Sequence, residues 1–178
     1  MNARLARVRR LNRGLATTLA VAGVVLTAAG VATATSARTS SSYVITATKT
    51  IDGYRVGSAF TNAKRRFGGP RSSSQDRAAC VASWANGVTI AWQRRPQYVK
   101  WERACVTFVW SKVTGRLWST DKGLRVGASQ SQVKKLYNVA TSKKSGAYTV
   151  WTLAKSSGNS LQAWVKGGRV SYFRVVHA

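Results

Sequence analysis

Gly53-Tyr54-Arg55-Val56-Gly57 returns later in the chain as Gly123-Leu124-Arg125-Val126-Gly127. The offset is 70 residues, and it holds without a gap over 53–68 and 123–138. Lys64 then matches Lys134, and close pairs fill much of the rest: Thr61 with Ser131, Ala63 with Val133, Arg65 with Lys135, Phe67 with Tyr137. A segment found twice is first evidence for a duplicated structural unit. Phe60, Ala63 and Phe67 share one helical face, as do Val133, Leu136 and Tyr137. Ser129 reads as the N-cap of the second helix, and Gly68 and Asn138 as left-handed C-terminal stops.

Strand signals follow each helix. In the first copy they cover 79–85, 88–93, 104–111 and 113–119; in the second, 147–154, 160–166 and 169–176. Asn86-Gly87 reads as a two-residue type I′ hairpin turn, and Gly167-Gly168 as another tight turn. The expectation is an α+β fold of two tandem units, each a short helix followed by an antiparallel β-meander, with the helices on one face of the sheet. Unit 1 covers 51–119 and unit 2 covers 120–178.

A doubled Gly-x-Arg-x-Gly segment with a short helix and a meander rich in Trp and Tyr resembles the repeat of the β-lactamase inhibitory protein family. The single-unit BamE-type outer-membrane lipoproteins are similar in pattern. The resemblance covers 51–176 and implies tandem helix-plus-sheet units in an exported protein. The inhibitory contacts of that family lie in loops, and none matches a residue here.

The N-terminus has the look of an address. Arg4, Arg7, Arg9, Arg10 and Arg13 precede an apolar run over 15–30, followed by small residues. These are the parts of a secretory signal peptide cut after Ala34 or Ala37. The other reading is an uncleaved membrane anchor, which would be the only membrane contact. Residues 38–50 read as a flexible leader with a possible first strand. Both readings place the remainder outside the cytoplasm, secreted or associated with the cell envelope.

Cys80 and Cys105 are the two cysteines. An even count in an oxidising compartment points to one disulfide, with two buried thiols as the alternative. In a simple meander two strands apart would mean roughly 9–10 Å, against roughly 4.4–6.8 Å between Cα atoms for a disulfide. The strand between them must therefore end early or bulge.

The whole chain of 178 residues has 29 Lys+Arg against 4 Asp+Glu, a net charge of +25. Removing 1–37 takes five arginines and no acid, leaving +20. The acids are Asp52, Asp76, Glu102 and Asp121, and the one histidine is His177. That inventory offers little for acid–base catalysis or for a metal cage, so the reading is non-enzymatic, with no cofactor and no metal.

With a type I′ turn at Asn86-Gly87, alternation puts Val81, Val88, Ile90 and Trp92 on one face and Cys80, Trp84 and Thr89 on the other. The next strand sets Val106, Phe108 and Trp110 toward the core. In the last hairpin Leu161, Ala163, Val165, Val170 and Tyr172 face one way, and Trp164, Lys166, Arg169 and Phe173 the other. Trp84, Trp164, Lys166, Arg169 and Phe173 then become candidate partner contacts. Arg94, Arg95, Tyr98, Lys100 and Trp101 join them from a loop of the same character. The bland alternative is that these aromatics pack on neighbouring strands while the charges solvate the surface.

The expected function is an exported, non-catalytic binding protein using a basic and aromatic surface. The expected partner is an anionic cell-envelope polymer, a lipid headgroup or an acidic protein. The alternative is a proteinaceous inhibitor of a secreted enzyme. The charge would also suit nucleic acid, but no specific nucleic-acid motif appears.

Overall fold

In the computed structural model, the described residues are 42–138, 140–156 and 158–177. The segment expected to be a signal peptide lies outside them. Among the described residues no helix is long and apolar enough to cross a membrane.

The chain enters through β1 (Tyr43–Thr46), β2 (Thr50–Ile51) and β3 (Tyr54–Arg55), and continues into helix α1 (Phe60–Phe67). Asp52 and Gly53 join β2 to β3 with φ of 46° and 80°. Positive φ at both central residues is what a type I′ turn needs. The strands β4 (Ser72–Gln75), β5 (Ala79–Ser83) and β6 (Val88–Arg94) follow. A one-turn helix, α2 (Trp101–Ala104), leads into β7 (Cys105–Val113) and β8 (Trp118–Thr120). Helix α3 (Gln130–Leu136) precedes β9 (Thr141–Ser145), β10 (Tyr148–Ser156), β11 (Asn159–Lys166) and β12 (Arg169–His177).

These strands make two sheets. The larger has eight strands in the order β4-β5-β6-β7-β12-β11-β10-β9 and is antiparallel throughout. The smaller has the order β3-β2-β1-β8, with β1 parallel to β8. The α+β expectation is therefore corrected: this is a predominantly β protein, and its helices are inserts of 8, 4 and 7 residues. Four antiparallel strands follow α1 and four follow α3, and pairing of β7 with β12 joins the two sets into the one large sheet.

The physical reason is that polar strands carry no hydrophobic period to announce them. Ser72–Gln75 and Thr141–Ser145 are exposed almost throughout and form the two outer edges of the large sheet. Both edges are short and polar, and β9 bears Lys143 and Lys144, features that discourage pairing with a second chain. The expected strand over 113–119 also dissolves: β7 runs on to Val113, and β8 belongs to the other sheet.

The two glycine-bounded segments share backbone signs. Gly53 and Gly123 have φ of 80° and 79°, and Gly57 and Gly127 have 96° and 91°. Tyr54 and Leu124, which follow the first glycine of each, are both buried. Helix α3 starts with a capping box: the Ser129 hydroxyl accepts from the Gln132 N–H while the Gln132 side chain accepts from the Ser129 N–H. Helix α1 has no side-chain cap and is held by packing instead. Phe60 meets the Trp92 ring edge-on at 5.6 Å, and Ala63 is fully buried.

The Asn86-Gly87 turn differs from its sequence reading. The Trp84 N–H donates to the Val88 carbonyl, so three residues, Ala85 to Gly87, form the loop. Cys80 then pairs with Trp92 and Ala82 with Ile90. A one-residue change of register sends every side chain of a strand to the other face. Cys80, Ala82 and Trp84 thus enter the core beside Ile90 and Trp92, and Val81 turns outward. Gly87 has φ of 86°, and a Cβ there would lie 3.1 Å from the Gly115 nitrogen. Gly87→Ala is expected to cost about 1–3 kcal/mol, read as a lowered urea midpoint. Gly69→Ala, where a Cβ meets nothing within 4 Å, is the control and should change little.

The disulfide joins Cys80 to Cys105 with Cα atoms 5.8 Å apart. Strand β6 ends at Arg94, opposite Cys105. The irregularities needed for the bridge lie in the β6–β7 pair, with the extra residues on β7. Ala91 faces Trp110 but Trp92 faces Phe108, which leaves Val109 over; Gln93 faces Thr107 but Arg94 faces Cys105, which leaves Val106 over.

Candidate binding face

One face of the large sheet packs the core, and the other is open. Cross-strand partners share a face, so the register assigns the open side directly. Thr89 pairs with Lys112, Lys112 with Arg174, Arg174 with Gln162, Gln162 with Thr152, and Thr152 with Thr141. A parallel row holds Ala91, Trp110, Val176 and Ser160, and another holds Tyr172, Trp164, Val150 and Lys143.

Three rings form a cluster there. Trp164 stacks on Tyr172 at 5.3 Å and 19°, and Tyr148 meets both edge-on at 5.6 Å. Val150 is buried without belonging to the main core, as expected for a residue opposite Trp164 within this group. Cations sit over the rings. Lys112 Nζ lies 4.6 Å from the Tyr172 centroid, and Lys166 Nζ 5.9 Å from that of Tyr148. The Arg174 guanidinium lies 5.2 Å from Trp110 and 5.9 Å from Trp164. Each ring face attracts the charge above it and restricts where that charge can go. Gln162 accepts from Trp164 Nε1 at 3.1 Å. Burial, then the neighbouring Tyr148, pushes the Tyr172 hydroxyl above its ordinary value, against the pull of Arg174.

Among the described residues no carboxylate pairs with these cations. Among the described residues the ion pairs are Lys64 with Glu102 and Arg66 with Asp52. Asp76 accepts the N–H groups of Ala78 and Ala79 at the β4–β5 turn, which hold its carboxyl below the usual range.

The candidate contacts fall in several places. Trp164 and Lys166 lie with this face. Trp84 does not: it is 4% exposed, donates Nε1 to the Gly68 carbonyl at 3.0 Å and packs on Phe67 and Trp92. Phe173 is fully buried opposite Ala163. The cause is a bulge: Trp164 pairs with Tyr172 but Val165 with Val170, so Ser171 is extra and Tyr172 and Phe173 exchange faces. Arg169 opens β12 opposite Lys166 and donates to the Gly127 carbonyl at 3.2 Å.

The loop residues form a second exposed place. Arg94 is tied down by donating to the Asp76 carbonyl, and Trp101 lies against Phe60 at 5.1 Å. Arg95 and Lys100 are exposed, Tyr98 is 36% exposed, and Val99 between them is 86% exposed.

Sequence reasoning missed Trp110, Lys112, Tyr148, Tyr172 and Arg174. Strict alternation turns Trp110 and Tyr172 toward the core because it cannot count the bulges at Val109 and Ser171. The missed signal was the cation–aromatic alternation itself: Trp110 and Lys112, like Tyr172 and Arg174, are two apart and so share a face.

No family model matches the chain, and no curated protein matches it. Among solved structures it is similar to an extracellular protein containing a SCP domain from Bacillus anthracis str. Ames. The identity is 12% and the TM-score 0.43, with 68% of this chain and 43% of that chain covered. So distant a likeness carries nothing over to this protein. Among the described residues no three His, Cys, Asp or Glu side chains gather where they could hold a metal ion.

Proposed function

We propose that this is an exported, non-catalytic binding protein whose open sheet face takes an anionic partner. The observation that carries the reading is the set Trp110, Lys112, Tyr148, Trp164, Lys166, Tyr172 and Arg174 on or beside that face, with cations over rings and no carboxylate paired to them. The disulfide supports export, because such bridges persist in oxidising compartments. The net charge would draw the partner in, and the arranged rings would orient it. Exposed charges are screened beyond roughly 8–10 Å at physiological salt. Retention of the mature chain on isolated cell envelopes should therefore fall steeply from low to high ionic strength. Retention that does not respond to salt would sink the proposal.

The loop at 94–101 favours a second reading, inhibition of a secreted enzyme. It presents Tyr98 and Val99 outward while Trp101 and the nearby disulfide hold its C-terminal side. This reading requires a one-to-one complex with a hydrolase that survives moderate salt, and Val99→Asp should break it.

A further inference from the structure

The row Thr141, Thr152, Gln162, Arg174, Lys112, Thr89 crosses six adjacent strands at matched register. Strand spacing makes it roughly 24 Å long. It contains hydroxyls, one amide, one guanidinium and one ammonium, and no acid. Its centre holds an electrostatic conflict: Lys112 and Arg174 stand directly opposite each other on β7 and β12. Like charges so placed destabilise a sheet. Here the rings of Tyr172, Trp110 and Trp164 hold the two cations, and among the described residues no carboxylate pairs with them.

On the β9–β10–β11 side the row opens into a groove of about 620 Å³. Its lining includes Thr141, Lys143, Thr152, Lys155, Ser160 and Gln162. Hydroxyls and an amide beside two lysines suit a hydroxylated stretch of ligand that carries further negative charge, and the Lys112–Arg174 pair suits an oxyanion with several acceptor oxygens.

We propose that this row is the binding track of a linear polyol phosphate, with a phosphodiester group at Lys112 and Arg174 and the adjoining polyol phosphate segment in the groove lined by hydroxyls, Lys143 and Lys155. This rests on the open face being the binding face and names the chemistry that it takes. Nucleic acid also carries phosphodiesters, but its bases need free ring faces on which to stack. The faces of Tyr172, Trp110 and Trp164 here are engaged by Lys112 and Arg174.

The test uses the mature oxidised chain and a synthetic glycerol phosphate oligomer, followed by calorimetry. Oligothymidylate and oligogalacturonate of equal charge are the comparators. The glycerol phosphate oligomer should bind tightest. The double variant Lys112→Gln/Arg174→Gln should weaken it by about tenfold or more. Lys112→Arg/Arg174→Lys, which keeps both charges, should retain binding and shows that the sheet still folds. The proposal is overturned if the Gln variant binds as wild type, or if either comparator binds as tightly as the glycerol phosphate oligomer. Envelope retention that stays salt-dependent in the Gln variant and equal to wild type would remove this track alone. Salt-independent retention by the wild type would remove the broader reading.

Discussion

Replacing both bridge cysteines, as C80A/C105A, is expected to lower the free energy of unfolding by about 3–4 kcal/mol. The bridge joins residues 25 apart in sequence, and it limits the freedom of the unfolded chain over that loop. Both cysteines are fully buried in the main core, so the truncation adds a small packing loss. Domains of this size are stable by only about 5–15 kcal/mol, which makes the bridge a large share. Urea unfolding of the variant and of wild type with dithiothreitol should give nearly the same reduced midpoint. A loss below about 1 kcal/mol would show that the unfolded chain is already compact over this loop.

Trp118→Ala is expected to be at least as damaging, at about 3–5 kcal/mol. Trp118 lies in β8 of the small sheet and is fully buried. Its ring stacks on Tyr43 at 4.7 Å, and its Nε1 donates to the Asn86 carbonyl at 2.6 Å. That carbonyl belongs to the β5–β6 hairpin loop of the large sheet, so one side chain ties the two sheets together. Truncation would open a cavity and leave the carbonyl without its donor. Trp118→Phe keeps most of the volume and loses the hydrogen bond, so it should cost clearly less. Equal losses for the two variants would mean that the hydrogen bond, and not the packing, is the larger part.

Local features were legible where one residue has one physical role. Gly53, Gly57, Gly123 and Gly127 all adopt positive φ, which side chains avoid. The helix over 130–136 begins at Ser129 because a hydroxyl at that position satisfies a free N–H. The Gly167-Gly168 turn and the Cys80–Cys105 bridge were also readable. Strand faces were less so. The Asn-Gly signal at 86–87 stands for a three-residue loop, whereas Asp52-Gly53 makes the two-residue turn. That single shift inverted β5 and misplaced Trp84. Bulges at Val109 and Ser171 did the same to Trp110, Tyr172 and Phe173. Polar edges such as Ser72–Gln75 gave no periodic signal at all.

The sequence by itself determined the charge, the bridge, the glycine conformations and the start of the helix at 130–136, because each depends on groups a few residues apart or on a simple inventory. Tertiary structure decided how the strands join across the chain and which aromatics face outward. Pairing of β7 with β12 sets Lys112 opposite Arg174 across some sixty residues of chain. Such a register is the sum of every turn and bulge before it, and one extra residue reverses the face that a side chain presents.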